Sequence, residues 1–147
     1  MDLNAERVKS VAVIGAGLMG HGIGAGFARY GYDVTLVDVK DEFLSVALSK
    51  VKEEFDRCVE AGLMTKQQAE NSSRRIRTVL DLKEAAANAD LVIEAIVEKM
   101  DIKRQVFSDL DHLAPSHCIL ASNTSGFPIS QLAACTKRPD KVIDTHF

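Results

Sequence analysis

Apolar residues crowd a short stretch near the start of the chain. Val11-Ala12-Val13-Ile14 has the length and content of a strand buried on both faces, predicting a strand over residues 10–14. Glycine follows at once, at Gly15, Gly17 and Gly20. Apolar residues then recur with helical spacing through Ile23, Phe27 and Ala28, predicting a helix over 18–30 that Gly31 closes. A second apolar run, Val34-Thr35-Leu36-Val37, ends on Asp38 and predicts a strand over 33–38. Phe43, Leu44, Ala47, Leu48, Val51, Phe55 and Val59 then make one stripe of a long helix over 41–61, broken by Gly62. Thr65 caps a short charged helix, with Gln68 at the capping-box position. This helical pair reads equally well as a brace against the sheet or as a lip over a substrate.

The remaining pattern alternates strand and helix. Strands are expected over 77–80, 90–96, 118–122 and 142–145, and helices over 82–88, 101–113 and 129–134, with Asp81 as a cap. Such alternation implies an α/β fold: one domain, 1–147, with a doubly wound, mainly parallel Rossmann sheet and an inserted helical pair after strand 2.

Within that frame the glycines acquire a chemical meaning. A strand, Gly15-Ala16-Gly17-Leu18-Met19-Gly20, a helix, a second strand and a terminal acid form the dinucleotide fingerprint in its required context. Gly15 permits the tight turn, Gly17 lets backbone approach a pyrophosphate, and Gly20 lets helix and strand pack closely. The helix N-terminus then points free N–H groups at the phosphates. Asp38 can accept hydrogen bonds from the adenosine ribose and repels a 2′-phosphate, so NAD is expected over NADP; Lys40 weakens that preference slightly. The bland reading is a glycine turn that is only architecture.

Composition narrows the classes further. The 147 residues are 46% hydrophobic and 27% charged with net charge -3, which gives no basic excess for nucleic acid. No apolar run is long enough for a membrane span, and the first seven residues are too few and too acidic for a leader peptide. Cys58, Cys118 and Cys135 lack CxxC spacing and read as reduced thiols of a cytoplasmic protein; no metal site is expected.

In open parallel sheets ligands sit at the carboxyl ends of strands. Glu98 and Lys103 follow the fourth strand, Ser122-Asn123-Thr124-Ser125-Gly126 the fifth, and His146 the sixth. Each alone is ordinary; their convergence on one edge is harder to dismiss.

Gly15–Gly20, Glu94-Ala95-Ile96-Val97-Glu98, Ala121-Ser122-Asn123-Thr124-Ser125 and Asp144-Thr145-His146-Phe147 resemble the successive motifs of the L-3-hydroxyacyl-CoA dehydrogenases, including 3-hydroxybutyryl-CoA dehydrogenase. The resemblance runs from Lys9 to Phe147. It implies NAD-linked interconversion of L-3-hydroxyacyl-CoA and 3-ketoacyl-CoA. His146 would be the general base that takes the hydroxyl proton, and Ser125 would hydrogen-bond the substrate oxygen. Leu18 and Met19 would belong to the pyrophosphate turn, and Ala95, Ile96, Glu98, Lys103 and Asn123 would line the cofactor. Lys50 and Arg57 would lie near the CoA phosphates. By the same resemblance, a helical C-terminal domain for substrate and dimer contacts, and a Glu that orients the histidine, are absent from this sequence. The chain is therefore expected to be a piece of a longer homodimeric enzyme, inactive alone and with exposed apolar surface. Gly126, where many relatives have Ser, and the lack of a basic CoA patch are departures. Two other readings stay open: the Rossmann half of a dehydrogenase for another hydroxy acid or sugar acid, and a non-catalytic NAD-binding module.

Overall fold

The computed structural model describes residues 7–147, so most of the stretch read as too short for a leader peptide lies outside the described residues. Strands β1 (Ser10–Ile14), β2 (Asp33–Val37), β3 (Ile76–Val79), β4 (Leu91–Glu94), β5 (Ile119–Ser122) and β6 (Val142–Asp144) form one sheet in the order β3-β2-β1-β4-β5-β6. Every pairing is parallel, so the expected mainly parallel sheet is wholly so. Helices α1 (Leu18–Arg29), α2 (Asp41–Glu60), α3 (Lys66–Ser73), α4 (Leu82–Ala86), α5 (Met100–Leu113) and α6 (Ile129–Ala133) connect them.

Side chains alternate across a strand, and here the alternation sorts the core into two layers. Val11, Val13, Val34, Leu36 and Ile93 pack on one face with Ile23, Ala28, Leu44, Val51 and Phe55 from α1 and α2. Ala12, Ile14, Val92 and Leu120 pack on the other with Phe107, Leu110 and Leu132 from α5 and α6. The strand order runs outward both ways from β1 and β4, so the chain switches direction between those two strands. A crevice forms at such a switch point, beyond the carboxyl ends of the strands.

The inserted pair braces α1. Leu44, Ala47, Val51 and Phe55 of α2 are buried, with Met64 and Ala69 packed beside them. Phe43 and Leu48, expected in the same stripe, are 46% and 40% exposed. The neighbouring elements cover only a narrow line of i, i+3 and i+4 positions, and those two flank it. The capping box at α3 forms as expected, with Gln68 N–H donating to Thr65 Oγ1 and Thr65 N–H to Gln68 Oε1.

Several element ends differ from expectation for local reasons. β4 stops at Glu94 rather than at residue 96, because the N–H of Ile96 donates to the Glu94 side chain (2.8 Å) and so leaves the ladder. β5 starts at Ile119 because Cys118 N–H closes a turn onto the Pro115 carbonyl. A 3-10 turn over Pro139–Lys141, unforeseen in the pattern, leads into β6. At the amino edge of the sheet Asp90 ties down the start of β1, accepting from the N–H groups of Lys9 (2.8 Å) and Ser10 (3.0 Å). Burial opposes ionisation of Asp90, but these N–H donors, His117 and the Ser10 hydroxyl outweigh it and bring its carboxyl down to about 2. Cys118 is fully buried, which pushes its thiol up to about 12 and leaves it no role as a nucleophile at neutral pH.

Candidate functional site

One rung of the sheet organises the site. Val79, Val37, Ile14, Glu94, Ser122 and Asp144 stand in register across all six strands. The candidate residues come off the chain directly beyond this rung. Asp38, Gly15, Ala95 and Asn123 are each the next residue on their strands, and His146 is two residues past Asp144.

At the β1–α1 turn, geometry demands two of the glycines. Gly15 has φ +96°, and a Cβ there would lie 2.7 Å from the Ala95 carbonyl oxygen. A Cβ at Gly20 would lie 1.7 Å from the Gly15 carbonyl oxygen, so helix and turn can approach only with glycine. Gly17 is different: a Cβ there meets nothing within 4 Å. It sits at the N-cap of α1 with no side-chain cap, and no described residue accepts from the N–H groups of Gly17, Leu18, Met19 or Gly20. The fold does not need glycine at 17. Donors without an acceptor at a helix N-terminus, beside open space at Gly17, are what a pyrophosphate fits. Leu18 and Met19 are exposed there.

Asp38 closes the turn from the β2 side. Its Oδ2 accepts from Ala16 N–H (2.8 Å) and its Oδ1 from Val39 N–H (2.7 Å). A carboxylate has about four acceptor positions, so two remain for ribose hydroxyls. Lys40 lies with its Nζ 5.6 Å above the Phe43 ring.

The β4–β6 side is built on buried charge. Glu94 and Lys103 are 0% and 1% exposed, and their 2.7 Å ion pair lies beneath the edge. Lys103 also reaches Glu98 Oε2 at 3.1 Å. The lysine expected to line the cofactor thus lies under the open surface, with its ammonium held between two carboxylates. Glu98 is partly exposed and accepts from the Thr124 hydroxyl and from Gly126 N–H (3.2 Å). Partial burial opposes its ionisation, but the Thr124 and Lys103 bonds prevail and hold its carboxyl below the usual range. Ala95 donates its N–H to Ile14 (2.8 Å), and Ile96 packs into the second core layer.

Ser125 and His146 are both exposed, and no side chain among the described residues hydrogen-bonds either one. Both are flanked by anchored neighbours. Around Ser125, Thr124 is bonded to Glu98, and the N–H groups of Gly126 and Phe127 reach Thr124 Oγ1. Around His146, Thr145 N–H donates to the Ser122 carbonyl (2.9 Å) and Phe147 N–H to Asn123 Oδ1 (3.0 Å). Backbone is fixed on both sides while the functional groups stay free. Gly126 serves through its N–H alone, and a Cβ there would make an ordinary 3.6 Å contact with Glu98.

Asn123 thus shapes this edge by holding the strand that carries the histidine. Glu94, Ser122 and Thr124, which stand in the sequence motifs without a role assigned to them, prove central to it. Glu94 had a visible signal: it is the one charge inside the apolar run Leu91–Ile96. Lys50 and Arg57 lie on the exposed side of α2, and Lys50 pairs with Glu53 at 3.0 Å. An apolar groove of about 650 Å³ runs along α1, lined by Leu18, Met19, Tyr30 and Phe147 among others. No helix among the described residues is long and apolar enough to cross a membrane, and no cluster of metal-ligating side chains occurs among them.

Residues 10–147 match the family described as 3-hydroxyacyl-CoA dehydrogenase, NAD binding domain. The chain is 42% identical over 141 residues to a probable 3-hydroxybutyryl-CoA dehydrogenase of Bacillus subtilis, covering 96% of this chain and 49% of that protein. It is 38% identical to the glyoxysomal fatty acid beta-oxidation multifunctional protein MFP-a of Brassica napus, covering 97% of this chain and 19% of that one. A crystal structure of 3-hydroxybutyryl-CoA dehydrogenase from Escherichia coli K12 superposes with a TM-score of 0.91 at 37% identity, over 96% of this chain and 30% of that one. The chain therefore spans half or less of the length of these relatives. The family match takes in the whole sheet and the glycine turn, and the chain belongs to the 3-hydroxyacyl-CoA dehydrogenase family as its NAD-binding domain.

Proposed function

We propose that this domain serves NAD-dependent interconversion of an L-3-hydroxyacyl-CoA and its 3-ketoacyl-CoA. One observation carries the reading: the open N–H groups of the α1 turn and the free side chains of Ser125 and His146 leave the same sheet edge, beyond one rung. Gly15, Gly17, Leu18, Met19 and Gly20 would cradle the pyrophosphate, and Asp38 would hold the adenosine ribose. Ala95, Ile96, Glu98 and Asn123 would line the nicotinamide half, with Lys103 holding Glu98 from beneath. Bound there, NAD supplies the hydride acceptor.

The chain's own residues handle the proton. The imidazole of His146 would take it from the substrate hydroxyl and return it in the reverse direction, the general acid–base chemistry open to an imidazole. Ser125 would donate a hydrogen bond to the same oxygen and fix its distance from the imidazole. Both act from anchored backbone, so their placement costs little ordering when substrate arrives. This chain spans half or less of these relatives, which supports a longer working chain; a second domain that would close the cleft and pair two subunits is part of the proposal. A cytoplasmic setting suits its three unpaired cysteines.

The first test is calorimetric titration of this chain with NADH and NADPH. NADH should bind more tightly, and Asp38→Ala should cost about 1–3 kcal/mol of that affinity, the loss of a charged hydrogen-bond acceptor. The second is acetoacetyl-CoA-driven NADH oxidation by the domain joined to its C-terminal partner domain, where His146→Gln should lower kcat by about 10²–10⁴. Turnover of hydroxy acids alone would shift the assignment to a relative with another substrate. NADH binding with no turnover would make this a non-catalytic NAD-binding module.

A further inference from the structure

We propose that Glu94 is a positioning residue that couples the two exposed ends of the site, Glu98 on the β4 side and His146 on the β6 side. The inference rests on the reading that those two residues face cofactor and substrate. Glu94 is fully buried, and both of its carboxylate oxygens have donors. Oε1 accepts from Lys103 Nζ (2.7 Å) and Ile96 N–H (2.8 Å), and Oε2 accepts from the Ser122 hydroxyl (2.6 Å). Its backbone carbonyl accepts from Asn123 N–H (2.8 Å). One residue thereby holds the end of β4, the end of β5 and the inward face of α5.

From this point two short bonded paths lead outward. One runs through Lys103 Nζ to Glu98, which in turn holds Thr124 and Gly126 around Ser125. The other runs through Ser122, whose carbonyl accepts from both Thr145 N–H (2.9 Å) and Thr145 Oγ1 (3.3 Å), the residue before His146. Asn123, held by Glu94, holds Phe147 on the far side of the histidine. Two carboxylates share a single ammonium here, so the group carries one excess negative charge. It falls to the outer carboxylate, because Glu94 has no solvent and Glu98 does. Burying an acid fully within the sheet is expensive unless its partners are complete. Completing them fixes the exposed residues as well.

Glu94→Gln is close in shape and keeps an amide oxygen for Ser122 or Ile96, while it removes the charge that shares Lys103. Two readouts separate positioning from mere support. NADH affinity, titrated well below the melting temperature, should fall about tenfold, within the range of coupling between linked sites. The ring resonances of His146 should shift, while those of His21, His112 and His117 stay in place. The histidine readout needs no cofactor, so it stands even if the wild-type chain binds NADH poorly, an outcome that would count against the NAD-site reading alone. The double variant Glu94→Gln, Lys103→Met removes both buried charges and should recover melting temperature without recovering NADH affinity. Recovery of both together, or unmoved His146 resonances in Glu94→Gln, would overturn the proposal.

Discussion

The two halves of the candidate site are made of opposite materials. The β1–α1 turn is defined by missing side chains: Gly15 and Gly20 because a Cβ would strike backbone, Gly17 because a Cβ would fill open space in front of the helix. The β4–β6 edge is defined by charges taken out of water, with Glu94 and Lys103 sealed under a surface that shows Glu98, Ser125 and His146. The first half presents bare backbone donors, tied to its neighbours through Asp38 and Val37. The second offers free side chains on backbone that is anchored to either side of them. A diphosphate, bulky and doubly charged, needs only room and N–H groups. A proton transfer needs an imidazole and a hydroxyl at set places, and that calls for scaffolding.

The largest effect should come from breaking the second half. Lys103→Met leaves Glu94 buried beside no cation, and loss of one partner of a buried pair costs about 3–5 kcal/mol. Urea unfolding should show it as a lower midpoint. An unchanged midpoint would mean that water reaches Glu94 when the lysine is gone.

Next in size is a contrast within the first half. Gly20→Ala drives a methyl into the Gly15 carbonyl and should destabilise by about 1–3 kcal/mol or more, whereas Gly17→Ala should leave melting nearly unchanged and instead weaken NADH binding. Equal melting losses in the two variants would erase the distinction between a packing glycine and a ligand glycine.

The smallest effect is acidic. Asp90 has its carboxyl lowered to about 2 in the fold, from an ordinary value of 3.8. A lowered carboxyl contributes stability above its unfolded value, lost as pH falls through the folded one. Stability should therefore drop by about 1–2 kcal/mol between pH 4 and 2 from this group. The glycine turn has no such titration, so Gly17→Ala should follow the wild-type slope while Asp90→Asn flattens it. Parallel slopes in all three proteins would assign the acid loss to other carboxylates.

Much of this was legible in the sequence because the signals were local. The strand–glycine–helix–strand–acid series needs only neighbouring residues, and β1, the start of α1 and the capping box at Thr65 stand where the pattern puts them. The ends of β4 and β5 did not follow hydrophobicity, because side chains and turns claimed their N–H groups first. Lys103 shows the same limit. Five residues after Glu98, it reads as a cation beside the cofactor, yet its helix turns it inward onto Glu94.

Sequence alone determined the doubly wound class and the strand–glycine–helix–strand–acid series, since periodicity, glycine sterics and a single carboxylate act over short distances along the chain. Only the tertiary structure decided that Glu94, Ser122 and Asp144 share a rung, and that the neighbours of His146 hang from Ser122 and Asn123. Those contacts join residues more than twenty positions apart, and they exist because parallel strands must cross over before they can pair.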